Sequence, residues 1–218
     1  MIESRTAHQR RWPASVAVVV VIGLEFGLPD QVVPPWWPVL FAFEVLLLVP
    51  LVAANPVKLT RDQGWIRGFG IGLVVLLLAG NAARLVQLLI VLFDKRQLNA
   101  VELLSAGALI WIVNVVATAI AYWELDRDGP FARDPRHERS IGDVDLLFPQ
   151  LTGVPGVDPD SWRPSFLDYV FVGFTAATAF SPTDVLPLTG RAKLLMMAAS
   201  TVSLVTVAGV AARAVNVL

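Results

Sequence analysis

Apolar positions along the chain form long unbroken runs and not the two-residue alternation of a half-buried strand. Five runs reach or approach the roughly 17 to 25 residues that a helix needs to cross a hydrocarbon core. They lie at about residues 13–28, 36–54, 65–93, 99–123 and 188–218. Trp12, Trp36, Trp37, Trp65, Tyr122 and Trp123 sit at their ends. Such rings suit the membrane interface, where the apolar body and the polar N–H or O–H each find their solvent. The first run is rich in Val and would read as a strand in water, but its length and the four further runs predict a helix. The run at 65–93 is long enough to require tilt or a bend, and Gly80–Asn81 is the expected kink.

A sixth apolar stretch, from Ser165 to Phe180, is too short to cross, reaching only about 24 Å as a helix. Ser165 or Pro164 would start it and Pro182 would stop it. A polar turn and the last long run follow, which predicts a re-entrant hairpin. Residues 124–164 are polar, with five Arg and nine acidic side chains, and hold too few apolar groups for a core of their own. They read as a solvated loop with at most one short helix. The predicted fold is all-α integral membrane, with five transmembrane helices plus one short re-entrant helix. It divides into a four-helix region (1–123), a polar loop (124–164) and the hairpin with the last span (165–218).

Composition agrees. Of 218 residues, 56% are apolar and 16% charged, with a net charge of −1 and no Cys, against about 45–50% and 25% in soluble domains. That argues against a soluble enzyme, a disordered chain and a nucleic-acid binder with a basic face. It leaves no disulfide framework and no thiolate metal site. His8 and His137 lie in polar stretches. The pairs Asp126–Asp128, Asp143–Asp145 and Asp158–Asp160 lack the pattern of a calcium loop and read as solvated turns. No phosphate loop, nucleophile elbow, His-Glu-x-x-His or dinucleotide fingerprint is present. No catalytic residue, metal or cofactor is expected, and the chain reads as no enzyme; its expected partner is the lipid bilayer.

Arg5, Arg10 and Arg11 precede the first run, but no small-x-small cleavage site follows and Glu25 interrupts it, so a retained first span is expected and not a cleaved signal. With the N-terminus inside, Arg5, Arg10, Arg11, Lys58, Arg61, Arg67, the five Arg of the polar loop, Arg191 and Lys193 fall on the cytoplasmic side. Only Lys95, Arg96 and Arg213 fall outside, which predicts a cell-membrane protein with a cytoplasmic N-terminus.

Glu25, Glu44, Arg84 and Asn114 fall inside spans, where unpaired charge is costly. At the helical rise, Glu44 and Arg84 lie about 12 and 13 Å from the same face and Glu25 about 5 Å. A Glu44–Arg84 ion pair is therefore expected, with Glu25 able to share it. Asn81 and Gln87, one turn to either side of Arg84, would complete its hydrogen bonds. The pair reads either as a packing device or as a proton or ion relay. Gly68–Gly72 and, on the last span, Ala199, Ser203, Val207 and Ala211 repeat small residues at four-residue spacing, a packing signal in lipid.

The C-terminal hairpin carries Asp168–Tyr169 early in its short helix, Thr175-x-x-Thr178 at its end, then Phe180, Ser181, Pro182, Thr183 and Asp184, and Pro187-x-Thr189 with Gly190–Arg191 before the last span. On these residues it resembles the potassium-channel pore module of pore helix, filter loop and inner helix. The chain also resembles an uncharacterised family of multi-pass bacterial membrane proteins that end in such a hairpin, over about the last three-fifths of its length. The resemblance implies pore-loop roles for Asp168, Thr175, Thr178, Phe180, Ser181, Pro182, Thr183 and Asp184. The filter glycines that let successive carbonyls face an ion are replaced here, and Pro182 restrains the backbone. The charge pattern also has the hairpin dip in from the cytoplasmic face. The functional expectation is a channel-like protein with a degenerate pore hairpin, not potassium-selective, and a tetramer if it conducts. The alternative is a non-conducting structural or small transporter-type protein built around the buried Glu–Arg pair.

Overall fold

The computed structural model describes residues 12–54, 64–93, 98–133, 144–159, 161–178 and 184–217. Phe180, Ser181, Pro182, Thr183, His8, His137, Asp143 and Asp160 lie outside the described residues. So do Arg5, Arg10, Arg11, Lys58, Arg61, Lys95, Arg96, Arg136 and Arg139 of the charge count.

The described residues form six α-helices: α1 (Trp12–Glu25), α2 (Trp37–Ala54), α3 (Gly64–Phe93), α4 (Ala100–Leu125), α5 (Phe166–Thr178) and α6 (Gly190–Val217). Each follows an apolar run because a helix satisfies its own backbone groups where no water is available. Three are long and apolar enough to cross a membrane: Trp65–Phe93, α4 with its 3-10 extension to Asp128, and Gly190–Arg213. Their mean hydropathies are 2.1, 2.1 and 2.0. α1 and α2 are apolar but shorter. α1 stops at Glu25 and not at Leu28, because Phe26 N–H and Gly27 N–H turn back to the carbonyls of Gly23 and Leu24. α4 opens on a capping box in which the Asn99 side chain accepts from Glu102 N–H and Glu102 reaches back to Asn99 N–H. α3 runs through Gly80–Asn81 without a break in helix.

α4 is the hub, packed by α1, α3, α5 and α6. The starts of α1, α3 and α6 and the end of α4 gather at one end of the bundle. Ala14, Trp123, Leu146 and Ala192 share one apolar cluster there, and Arg67 pairs with Asp128 at 2.7 Å. We call this the loop end. At the opposite end Leu28 and Val32 pack with Leu85, Leu88 and Val91 of α3. The α1–α2 connection is therefore tucked beside α3 and does not lie across the bundle's end.

Part of the polar loop is packed against the bundle and not solvated. Residues 146–147 (β1) pair antiparallel with 186–187 (β2), Leu146 opposite Pro187. Leu146 and Phe148 are buried, and Phe148 packs edge-on to Tyr169 with ring centroids 5.6 Å apart. The chain leaves α4 through left-handed backbone at Arg127, Asp128 and Gly129.

Candidate functional site

The hairpin is built at the loop end. Asp126 and Asp145, expected in solvated turns, are both buried. Asp126 Oδ2 accepts from Tyr169 Oη at 2.7 Å, and its Oδ1 accepts from the backbone N–H groups of Asp145 and Leu146 at 3.1 and 3.3 Å. Arg127 Nε lies 3.9 Å from the same carboxylate. Asp145 accepts two hydrogen bonds from Arg191, from Nε and Nη2, each at 2.6 Å, and one from the Thr189 hydroxyl. Burial pushes the Asp145 carboxyl up, but the bonds from Arg191 and Thr189 and the charge of Arg191 outweigh it and hold it below the usual carboxylate range. Arg133 donates to the carbonyls of Trp123 and Asp126, closing the free acceptors at the end of α4, and its guanidinium stands 5.2 Å over the Tyr169 ring. These bonds clamp α4, the loop, α5 and the start of α6 together. Of the three Asp-x-Asp pairs, only the arrangement in space distinguishes Asp126 and Asp145 from solvated turns. Asp158 fits the expectation of an exposed turn better, taking part in a turn with Ser161 and Trp162.

α5 starts at this end and stops part-way down the bundle. The Asp168 carboxylate accepts from Ser165 N–H and Oγ at 2.6 and 2.7 Å, a capping contact at the helix start. At the other end Trp111 Nε1 donates to Ala177 O at 3.4 Å and Ser200 Oγ to Ala176 O at 2.9 Å. Trp111 is near the middle of α4, and Ser200 is ten residues into α6, about 15 Å from its start. Leu186 and Pro187 then lie back at the loop end on β1. The chain thus descends to mid-bundle and returns. Gly173 lets α5 sit on the α4 backbone: a Cβ there would be 2.7 Å from Val115 O.

The pore-loop candidates within the described residues are held locally. Asp168 is a cap. The Thr175 hydroxyl donates to Phe171 O and Val172 O, and the Thr178 hydroxyl to Thr175 O. Asp184 is exposed at the start of the return.

The charged group of α1–α3 differs from the expectation in its pairing. Arg84 Nη2 lies 2.6 Å from Glu25 Oε2, both side chains fully buried. Trp37 Nε1 donates to the same oxygen at 3.2 Å, a partner the sequence reading missed. Glu44 lies beside this pair yet neither of its oxygens has a hydrogen bond. The depth argument misplaced Glu25 because it set the end of the first span at the bilayer surface. The tucked α1–α2 connection brings Glu25 level with Arg84. Asn81 is buried beside them without a hydrogen bond, and Gln87 turns away to Gln31 O at 3.4 Å, so neither completes the Arg84 bonds. Gly80 lets α2 come close beside the group: a Cβ on it would stand 2.7 Å from Leu40 Cδ2 and 3.3 Å from Arg84 Nη1.

Asn114 joins α4 to α6, its Nδ2 donating to Ala199 O at 2.7 Å and Ser203 Oγ at 2.8 Å. Ala199 and Ser203 of the small-residue series therefore face α4, whereas Val207 and Ala211 are exposed. In the Gly68–Gly72 match, Gly68 meets nothing within 4 Å; the close approach is at Gly70, where a Cβ would meet the Glu124 carboxylate at 2.9 Å.

Comparison with family models, with curated proteins and with solved structures finds no match.

Proposed function

We propose that the chain is a channel-like multi-pass protein of the cell membrane with a degenerate pore hairpin. In this reading α1–α4 and α6 cross the bilayer, and the N-terminus and the loop end face the cytoplasm. α5 and the residues after it form a re-entrant pore hairpin that is not selective for potassium. The observation that carries the reading is the level at which α5 stops: its last carbonyls meet Trp111 and Ser200 near mid-bundle, and the chain comes back to the end it left. Irregular backbone at that depth is tolerated only against protein or a water-filled cavity. Hairpins of this kind enclose a path only around an axis, which calls for about four copies. In support, the spanning window of α6 is 17% buried within one chain, against 61% for α4, which leaves a helix face for lipid or a neighbouring copy.

The test is sizing in mild detergent followed by ion flux from proteoliposomes. A tetramer that dissipates a monovalent-cation gradient is the expected result. A monomer overturns the proposal, because one hairpin cannot surround a path. The second reading, a small transporter-type or structural protein built around the Glu25–Arg84 pair, is favoured by the unpartnered Glu44 and predicts that monomer or a dimer.

A further inference from the structure

Two carboxyls and one guanidinium converge between α1, α2 and α3. Glu25, Glu44 and Arg84 are each buried to within 1% of full burial. Arg84 Nη2 and Trp37 Nε1 both serve Glu25 Oε2, and Glu44 Oε1 and Oε2 receive no donor. On α3, the Asn81 amide and Arg84 Nε and Nη1 are likewise buried without a hydrogen bond. α4, packed against α1 and α3, carries no charged side chain between Glu102 and Glu124. Among the described residues no second cation is paired with Glu44.

With both carboxyls ionised the group would hold a net negative charge in a buried site, which is strongly unfavourable. One added proton makes the group neutral, and the carboxylic acid so formed can donate an O–H to the facing carboxylate. We propose that Glu25 and Glu44 hold one dissociable proton between them opposite Arg84, forming a proton-binding site inside the bundle. Binding takes the proton from hydronium and returns water; no bond other than O–H forms or breaks. Arg84 positions Glu25 as the acceptor, and Glu44, which has no other partner, carries the proton. The site stands whether or not the hairpin conducts.

The experiment is infrared spectroscopy of the full-length protein in detergent, as parent and as Glu44→Gln, with thermal unfolding of both. The parent should show a protonated-carboxyl C=O band at neutral pH that shifts in D₂O, and Glu44→Gln should lose it. Glutamine matches a protonated Glu in shape and charge, and its amide can donate to Glu25, so the variant should unfold at the parent's temperature. Absence of the band in folded parent protein, or its persistence in Glu44→Gln, overturns the proposal. So does failure of Glu44→Gln to fold at neutral pH, because a carboxamide replaces a neutral acid without loss but cannot replace a carboxylate.

Discussion

Gly173→Ala tests how closely the hairpin sits on α4. The added Cβ would lie 2.7 Å from Val115 O and 3.4 Å from Ala119 N. Both are backbone atoms within α4 and cannot rotate aside. An ordinary carbon–oxygen contact is about 3.3 Å or more, so α5 must retreat by roughly half an ångström. Overpacking of this kind costs about 1–3 kcal/mol. Alanine's helical preference over glycine returns about 1 kcal/mol, leaving a net loss of up to about 2 kcal/mol. Gly23→Ala and Gly68→Ala supply the contrast: both glycines are helical and have nothing within 4 Å of an added Cβ. These variants should gain roughly 0.5–1 kcal/mol. Denaturant or thermal unfolding in one mild detergent measures all three, at about 2–4 °C per kcal/mol for a chain of this size. The same chemical change thus carries opposite signs at two kinds of site. If Gly173→Ala unfolds with Gly68→Ala, α5 does not rest on the α4 backbone and the seating of the hairpin is wrong.

Arg84→Leu should cost about 3–5 kcal/mol by leaving buried carboxyls without their cation. A double-mutant cycle with Glu25→Gln should show a coupling of more than about 1 kcal/mol, and additive losses would refute the ion pair. Asn114→Ala removes two α4–α6 hydrogen bonds, each worth about 0.6 kcal/mol and at most about 1.7 in membrane proteins; an unfolding midpoint equal to the parent's would show that these bonds carry nothing. Asp145 is held below the usual carboxylate range in the folded chain, so its contribution is present above the unfolded value near pH 4 and lost as pH falls through the folded one. The parent should therefore lose more stability than Asp145→Asn between about pH 5 and pH 3, and parallel unfolding curves across that range would contradict the clamp.

Helix placement was legible because the solvent in which these segments fold leaves few alternatives: an apolar run in lipid must close its own backbone bonds. The run at 65–93 became α3 within a residue at its start, and the run at 99–123 became α4. The short α5 was legible for the same reason, from its length and the proline after it. Pairing was not legible. Assigning Arg84 to Glu44 required the 26–36 connection to lie at the surface, and nothing local to those residues reports that Leu28 and Val32 pack on α3. The series Ala199, Ser203, Val207 and Ala211 failed as a single face for a geometric reason. Four residues at 100° each overshoot a turn by about 40°, so the first two meet α4 and the last two do not. The buried aspartates failed because Asp-x-Asp in a polar stretch has the same local signature whether or not a tyrosine and two arginines fold onto it.

The two polar groups of the bundle differ in saturation, and the difference separates scaffold from responsive site. At the loop end every aspartate oxygen of the clamp has an assigned donor: Asp126 has a tyrosine hydroxyl and two backbone amides, and Asp145 has a bidentate arginine and a threonine. Such a network rigidifies what it joins, and it joins both feet of the hairpin. The carbonyls of Ala176 and Ala177 near the end of α5 are likewise engaged by Ser200 and Trp111, which fixes the depth at which α5 ends. Among α1, α2 and α3 two buried carboxyls share one guanidinium, and both Glu44 oxygens are without a hydrogen bond. A saturated network gains nothing from a further proton, whereas an unsaturated carboxyl in a dry site gains a hydrogen bond and loses a charge. Arg84 and Arg67 stand on one unbroken helix, about 26 Å apart along its axis, with Arg67 paired to Asp128 at the foot of the clamp.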